Sequence, residues 1–382
     1  MLAVDSCQLL RHIEPRLPEM IAIIRELVEI ESPSFSKDAV DRLGKVLAGK
    51  FEALGGKTQF HRAKHVGDHL QIDFAGMNGK PVMLLGHHDT VYDLGTLETM
   101  PFRATPQRLY GPGTLDMKCG IVMMMMAIAV LKEVAGGLPR PITVLLNTDE
   151  EVGSESSRPI TEKLAKESAA VFVLEPAQGP SAALKTARKG VGDYHVKVTG
   201  RAAHSGVDFE KGHSAILELV RQIERISNFT DLKRGLTVNV GVVRGGTRTN
   251  VVPAEAQADV DIRIAHAEDA ALLEDKFRSL KSIDRECKLE VTGGLNRPPM
   301  ERTPGIAALF SRAKKVAAEL GWDLEEASTG GGSDGNFTAA LGVPTLDGMG
   351  AAGEGAHSRD ESVVISELPR RTALLAAMMQ MD

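Results

Sequence analysis

Five separate segments of the chain carry histidines or acids of the kind that bind metal ions. His87-His88-Asp89 follow PVMLLG, Asp116 follows YGPGT, Asp149-Glu150-Glu151 follow ITVLLNT, Glu175 follows VFVL, and His357 lies in GAHSRD. In open α/β sheets, ligands bind in the crevice beyond the carboxyl ends of the strands. We therefore expect these side chains to meet at one edge of a sheet.

The composition of this cluster indicates a metal centre. Carboxylates packed together without a cation would repel one another, and their pKa values would rise. Imidazole with carboxylate suits zinc, with cobalt or manganese as substitutes, whereas an all-oxygen set would suit calcium or magnesium. Two histidines and three or four acids exceed one tetrahedral shell. The sequence therefore predicts two divalent metal ions about 3.5–4 Å apart that share one carboxylate.

Neighbouring residues in the cluster are expected to have different tasks. His87 and Asp89 are two apart, so on a strand they would share one side, which suits a carboxylate that orients a metal-bound imidazole. Glu150 and Glu151 would face opposite ways on a strand, so we expect one to bind metal and the other to hold a proton. Asp149 is expected to support the turn.

Bulk composition excludes several other classes of protein. The 382 residues suggest two domains, and a net charge of -6 with 4% aromatic residues disfavours nucleic acid as a partner. Three scattered cysteines provide neither a disulfide framework nor a CxxC zinc site. The N-terminal residues do not resemble an export signal, and the longest apolar run, 121–131, is too short to span a membrane. We expect a cytoplasmic protein.

Apolar periodicity predicts the elements that must position the cluster. Two amphipathic helices around 20–28 and 43–54 are followed by alternating strands and helices. The predicted strands are 69–74, 81–85, 142–147 and 171–174, and the predicted helices are 118–134 and 158–166. Near-continuous apolar strands separated by helices predict a sheet that is largely parallel and covered on both faces.

The pattern changes near Gly190 and returns after Pro299. Between these points we predict strand 193–199, helix 214–226, strands 236–243 and 257–264, helix 269–280 and strand 288–292, which is one ferredoxin-like βαββαβ unit. A helix at 305–320, a strand near Pro344 and a helix at 365–381 follow. The predicted fold is α/β: a discontinuous domain with a mixed, largely parallel sheet (1–189 and 300–382) and an inserted ferredoxin-like lid or dimerisation domain (190–299).

Eight motifs in order resemble those of the dizinc aminoacylase and glutamate carboxypeptidase family. They are GHHDTV, YGPGTLDMKCG, NTDEEVGS, LEP, GRAAHSG, TNVVPAEAQADVDIR, TGGGSD and GAHSRDE, and the likeness extends from about residue 15 to the end. The chain looks most similar to the carboxypeptidase G type, through HHDTVYDLG and MPFRATPQRLYGPG. The resemblance implies a zinc exopeptidase fold.

The resemblance also assigns roles within the cluster. It implies that His87 and Glu175 hold one zinc, that Glu151 and His357 hold the other, and that Asp116 bridges them through a turn with a cis Asp116–Met117 peptide. Asp89 would orient His87. Glu150 would be the general base and acid, which takes a proton from the attacking water and passes it to the leaving nitrogen.

In the inserted domain the resemblance implies residues that contact the substrate. His204 would stabilise the developing oxyanion, either by lid closure or from a dimer partner, and Asn250, Arg263 and Gly332 would hold the substrate. An arginine fork suits a free carboxylate because it binds both oxygens. The exposed edge of an inserted sheet can pair with its copy, so we expect a homodimer through this domain.

Several functions remain open from the sequence. The first is a glutamate carboxypeptidase acting on peptides or pteroyl-type conjugates, and the second is a deacylase of other N-acyl amino acids. A more remote alternative is a serine hydrolase, because GGGSDG places Ser333 in a G-x-S-x-G pattern with Asp347 and His357 following in order. A non-catalytic binding protein of the same fold is a fourth possibility.

Overall fold

The computed structural model describes residues 4–381, and these form two compact units. The first unit contains the chain up to Ala187, Arg302–Thr329 and the residues from Ser333 onward, and the second contains Arg188–Glu301 with Gly330–Gly332. The domain boundaries predicted from the sequence lie within two residues of the long unit boundaries. The sequence analysis did not predict that Gly330–Gly332 belong to the second unit.

A six-stranded sheet is the centre of the first unit. Its spatial order is β1-β2-β6-β3-β7-β14, in which β3 pairs in parallel with β6 and β7, and β14 pairs in parallel with β7. The edge pairs β1–β2 and β2–β6 are antiparallel. Along the chain the strands of the described residues are β1 (Lys57–His61), β2 (His69–Phe74), β3 (Val82–His87), β4 (Arg103–Ala104), β5 (Arg108–Tyr110), β6 (Ile142–Asn147), β7 (Ala170–Val173), β8 (Leu184–Arg188), β9 (Gly190–Thr199), β10 (Thr237–Gly245), β11 (Glu255–Ile264), β12 (Lys288–Arg297), β13 (Glu326–Thr329), β14 (Thr345–Leu346), β15 (Gly353–Glu354) and β16 (Ser362–Val364).

The central strands of this sheet are buried along their whole length. Every residue of β3 and β6 is buried, as expected for strands that are covered on both faces. The helices of the described residues are α1 (Ser6–Ile13), α2 (Leu17–Val28), α3 (Lys37–Ala53), α4 (Cys119–Ala135), α5 (Arg158–Glu167), α6 (Ala215–Ser227), α7 (Glu268–Arg278), α8 (Pro304–Glu319), α9 (Gly335–Ala340) and α10 (Glu367–Met378).

The apolar helix that follows Asp116 is part of the core of the first unit. Residues Thr114–Ala135 are long and apolar enough to cross a membrane by length and composition alone, but 89% of their most apolar window is buried inside the protein. Met123–Met126 lie in this helix and are almost completely buried. Such burial is typical of a core helix, and unbranched methionine side chains fill irregular space in such a core.

The second unit has the βαββαβ order. The antiparallel sheet β10-β11-β9-β12 has β9 and β11 at its centre, and α6 and α7 are the two helices of the unit. Its core is formed by alternating residues of the strands, such as Val196, Val198 and Val260, together with Leu219 and Phe277 from the helices. The side-chain hydroxyl of Ser214 accepts a hydrogen bond from Leu217 N and caps the start of α6.

Several features of the first unit differ from the sequence analysis. The elements that were not predicted are strands β1, β4, β5, β8, β13, β15 and β16 and helices α1 and α9. Helix α1 nevertheless begins at a recognisable cap, where Asp5 accepts a hydrogen bond from Gln8 N. Glu150 and Glu151 do not continue strand β6, which ends at Asn147; they form a 3₁₀ turn, Glu150–Val152. The strand alternation that we used to separate their roles therefore does not apply.

Candidate metal centre

His87 is the last residue of β3 and is buried at the centre of the acidic cluster. Its Nε2 lies 3.1 Å from Asp116 Oδ1 and 3.5 Å from Glu175 Oε1. Its Nδ1 lies 3.0 Å from the carbonyl oxygen of Asp89 and 3.4 Å from the Oδ1 atom of that residue. Asp89 therefore faces the opposite edge of the ring from the other two acids, which leaves Nε2 directed into the cluster.

Asp116 lies between two imidazoles. Its Oδ1 is 3.1 Å from His87 Nε2, and its Oδ2 is 3.3 Å from His357 Nε2. The Asp116–Met117 peptide is cis, as the resemblance implied. One carboxylate thus faces both histidines with a different oxygen toward each, which is the arrangement expected of a carboxylate shared by two ions.

Glu151 and His357 form the other side of the cluster. His357 Nε2 lies 3.2 Å from Glu151 Oε2, and His357 has a positive φ of 63°. The Oε1 atom of Glu151 is buried and has no hydrogen-bond partner among residues 4–381. A buried carboxylate oxygen needs a donor or a cation, so this oxygen suits a ligand that the protein itself does not provide.

Glu150 and Glu175 form a second group of donor atoms with His87. Ligand atoms of His87, Glu150 and Glu175 all lie within 4.8 Å of one another, and so do those of His87, Asp116 and Glu151. The two groups have His87 in common. The 3₁₀ turn consequently brings both glutamates to the cluster, each in a group with different partners.

The acids strongly perturb the histidines. Hydrogen bonds with Asp116 and Glu151 raise the pKa of His357 to about 11. Burial alone would lower the pKa of His87, but hydrogen bonds to Asp116, Asp89 and Glu175 outweigh it and raise that pKa well above its usual value. Burial raises the pKa of Glu151. In the absence of another cation, the cluster therefore draws protons onto its imidazoles, so it is a strong site for positive charge.

These donors fit a pair of divalent ions. The described donor atoms are imidazole nitrogens and carboxylate oxygens, a set that suits zinc, cobalt or manganese. The two oxygens of Asp116, which face different histidines, match two ions better than one. The residues could hold the cofactor that the sequence predicted.

Four predicted substrate-binding residues belong to the second unit. His204 and Asn250 are exposed neighbours there: His204 forms an isolated β-bridge with Val251, and Ser205 N donates to the carbonyl oxygen of Asn250 at 3.1 Å. The Arg263 guanidinium donates to both carboxylate oxygens of Asp261. Gly332 is half-buried, and its carbonyl oxygen accepts a hydrogen bond of 3.0 Å from Arg188 Nη1.

A residue that the sequence analysis did not single out supports the Asp116 turn. Glu361 is fully buried, and its carboxylate accepts hydrogen bonds from Leu115 N at 2.6 Å, Asp116 N at 3.0 Å and Gly113 N at 3.1 Å. The hydroxyl of Tyr92 donates to the same carboxylate at 2.6 Å. The available signal was the acid four residues after His357 in GAHSRDE, within a motif that we used only for its histidine.

The serine alternative does not match the arrangement of side chains. Ser333 is fully buried, and its hydroxyl donates to Asp347 Oδ2 at 2.6 Å. His357 Nε2 instead faces Asp116 and Glu151. A serine nucleophile requires an exposed hydroxyl bonded to the base, so these residues do not form a Ser-His-acid triad.

Several known proteins resemble this chain in sequence or in fold. Carboxypeptidase G2 of Pseudomonas sp. (strain RS-16) is 33% identical over 373 residues, which cover 96% of this chain and 89% of that protein. The solved structure of aminopeptidase PepT from Bacillus cereus has a TM-score of 0.79 and 22% identity, with 95% and 98% of the two chains covered. A dinuclear metal binding peptidase from Bacillus subtilis has a TM-score of 0.72 and 16% identity over 96% and 98% of the chains.

A family model decides the assignment. The model described as peptidase family M20/M25/M40 matches residues 83–381, which include every member of the metal cluster. The fold class and the family that the motifs indicated are confirmed, including the likeness to carboxypeptidase G. The chain belongs to the peptidase family M20/M25/M40 and is a hydrolase of that family.

Proposed function

We propose that this hydrolase cleaves an amide bond next to a free carboxylate, as an exopeptidase that releases a C-terminal amino acid, with glutamate as the leading candidate. The observation that carries the proposal is Asp116, whose two oxygens lie 3.1 and 3.3 Å from His87 and His357. The similarity to Carboxypeptidase G2 supports the choice of a carboxypeptidase reaction, and the motif resemblance described above implies glutamate.

The proposed cofactor is a pair of divalent ions, most simply Zn²⁺, with Co²⁺ or Mn²⁺ as substitutes. His87 and Glu175 would hold one ion, Glu151 and His357 the other, and Asp116 would be shared by both. Ions at these positions lower the pKa of water and polarise a carbonyl group. The B. subtilis neighbour described as dinuclear metal binding supports two ions over one.

Glu150 is the proposed proton carrier. It lies in the 3₁₀ turn with Glu151 and in one donor group with His87 and Glu175, so its carboxylate is close to the proposed ions. In the reaction it accepts a proton from the attacking water and delivers that proton to the leaving nitrogen. Asp89 has a positioning role, because it holds the opposite edge of the His87 ring.

The second unit is proposed to contact the substrate and a second copy of the chain. His204 would stabilise the oxyanion, whereas Asn250, Arg263 and Gly332 would bind the end of the substrate that carries the carboxylate. For Arg263 this requires the substrate to compete with Asp261. We further propose a homodimer through the edge strand β10 and a cytoplasmic location.

Two variants in one loop test the mechanism. Glu150→Gln keeps the size of the side chain but removes the base, so kcat/KM is expected to fall by about 10²- to 10⁴-fold while the zinc content stays at the wild-type value. Glu155→Gln changes an exposed acid of the same loop and should leave both quantities unchanged. The assay uses N-acyl amino acids that differ in the amino acid released, with zinc measured by elemental analysis.

Three outcomes would contradict different parts of the proposal. Wild-type rates in Glu150→Gln would remove Glu150 as the base. A protein that takes up no zinc, or that retains activity in EDTA, would remove the metal mechanism. Efficient release of many amino acids with little preference for glutamate would instead indicate the deacylase alternative.

A further inference from the structure

A cavity of about 490 Å³ opens beside Glu151 within the first unit. Four large apolar side chains line it, and all four are exposed: Phe35 (85%), Leu94 (56%), Val91 (43%) and Val152 (40%). Exposed apolar residues that cluster around a cavity indicate a binding surface, whereas the same residues scattered singly would indicate nothing. Because Glu151 lines the cavity and also contacts His357, the cavity is continuous with the candidate metal centre.

The walls of this cavity are fixed to the metal centre by hydrogen bonds. Ser34 N donates to the carbonyl oxygen of Thr90 at 3.2 Å, and Thr90 N donates to that of Ser32 at 2.8 Å. The hydroxyl of Ser34 donates to Asp89 Oδ2 at 2.7 Å. Asp89 in turn holds the ring of His87. The cavity is therefore preformed at a set distance from the reacting atoms.

The charged residues of the lining determine which part of a substrate can bind in the cavity. Its ionisable residues are Asp93 and Glu151, which are both acids, and the lining contains no lysine or arginine. Glu151 is a proposed metal ligand, so the charge that no proposed ion offsets is that of Asp93, and a carboxylate entering the cavity would meet this acid with no lysine or arginine in the lining. The cavity is therefore a poor site for the end of the substrate that carries the carboxylate, whereas an uncharged apolar group would cover the exposed side chains and gain from leaving water.

We propose that this cavity binds the acyl group on the other side of the scissile amide, and that the enzyme consequently prefers apolar, uncharged acyl groups to small or acidic ones. The inference rests on the proposed amide hydrolysis and adds the identity of the second half of the substrate. Phe35, Val91, Leu94 and Val152 are then specificity-determining residues.

The test compares acyl groups on whichever amino acid the zinc-loaded wild-type enzyme releases fastest. Hexanoyl, benzoyl, acetyl and succinyl derivatives are assayed for kcat/KM. We expect the hexanoyl and benzoyl substrates to exceed the acetyl substrate by about tenfold or more, and the succinyl substrate to be the poorest. The double variant Phe35→Ser/Leu94→Ser should reduce the hexanoyl-to-acetyl ratio by at least about fivefold.

Introducing a positive charge provides a second and sharper readout. Leu94→Lys places a cation in an acidic, apolar cavity, so the succinyl-to-hexanoyl ratio is expected to rise by about tenfold or more. The control is Met77→Ser, which removes a half-exposed apolar side chain. Met77 lies in the connection between β2 and β3, near the start of β3, whereas His87 is at the end of that strand. This control should leave the relative kcat/KM values of the four substrates unchanged.

Two different failures can be told apart. If the wild-type enzyme hydrolyses some of the four substrates but the cavity variants change all their rates by one common factor, the acyl site is elsewhere and this inference is overturned alone. A zinc-loaded wild-type protein that hydrolyses none of the four, on any amino acid, overturns the proposed function and this inference with it.

Discussion

Removing the carboxylate of Glu361 should destabilise both the fold and the metal centre. In Glu361→Ala, the N–H groups of Gly113, Leu115 and Asp116 lose their acceptor in a fully buried place. Each buried donor that is left unpaired costs about 1–3 kcal/mol, so the three give a range of about 3–9 kcal/mol. The turn can shift to recover part of this energy. We therefore expect a loss at the lower end of this range, about 3 kcal/mol, in the free energy of unfolding.

The same substitution should weaken metal binding although Glu361 is not a proposed ligand. Asp116 N is one of the three donors, so a shifted turn moves the Asp116 carboxylate relative to His87 and His357. Glu361→Gln keeps one acceptor oxygen but turns an amide group toward N–H or O–H donors. Its effects are expected to lie between those of the wild type and those of Glu361→Ala. Zinc affinity and kcat should fall more than KM rises, because the substrate is held by other residues.

Urea unfolding and zinc competition with a chelator measure these two effects. The control is Glu354→Ala, which removes an exposed acid paired with Arg108 in the same segment of the chain. A surface ion pair of this kind contributes about 1 kcal/mol or less. If Glu361→Ala is destabilised no more than this control, or binds zinc as tightly as the wild type, then Glu361 does not position Asp116.

Two further predictions concern acid stability and assembly. Burial alone would raise the pKa of Asp68, but hydrogen bonds from Lys37, Ala63 N and Arg62 outweigh it and lower that pKa. This interaction stabilises the fold above the unfolded-state pKa of about 4 and is lost as the pH falls below it. Asp68→Asn should therefore reduce the difference in melting temperature between pH 6 and pH 3, and parallel pH curves for the two proteins would contradict this. Val243→Asp, on the exposed edge strand β10, should convert a dimer into monomers by light scattering, and a wild-type monomer would refute the proposed interface.

Long apolar segments made much of the fold predictable. Strand β6 was predicted at its observed bounds because ITVLLN is apolar on both faces and ends abruptly in acids. Strand β1 was missed because KTQFH has no apolar run and lies at the edge of the sheet, with its residues exposed or half-buried. Its place depends on pairing with β2, which a local pattern does not show.

In the candidate site, residue types could be predicted from the sequence, whereas backbone conformation and burial could not. Side-chain chemistry at strand ends gave a longer list of candidates, and the family resemblance then selected the five proposed ligands, which are His87, Asp116, Glu151, Glu175 and His357. The conformation of Glu150 and Glu151 could not be predicted, since it depends on where β6 stops, and the alternation of sides along a strand does not apply to residues beyond its end. The importance of Glu361 depends on burial and on backbone partners, neither of which its residue type reveals.

The order of the proposed metal-binding residues along the chain has a consequence for biosynthesis. Four donor segments lie before residue 176, whereas the fifth, His357, comes only after the whole second unit has been translated. A nascent chain, or one cut before residue 357, would therefore contain the acids of the site and His87 but would lack His357. Tight binding of the ions would then require the C-terminal segment with His357 to be folded onto the first unit. A growing chain would gain the stabilisation that metal binding provides only after this segment leaves the ribosome.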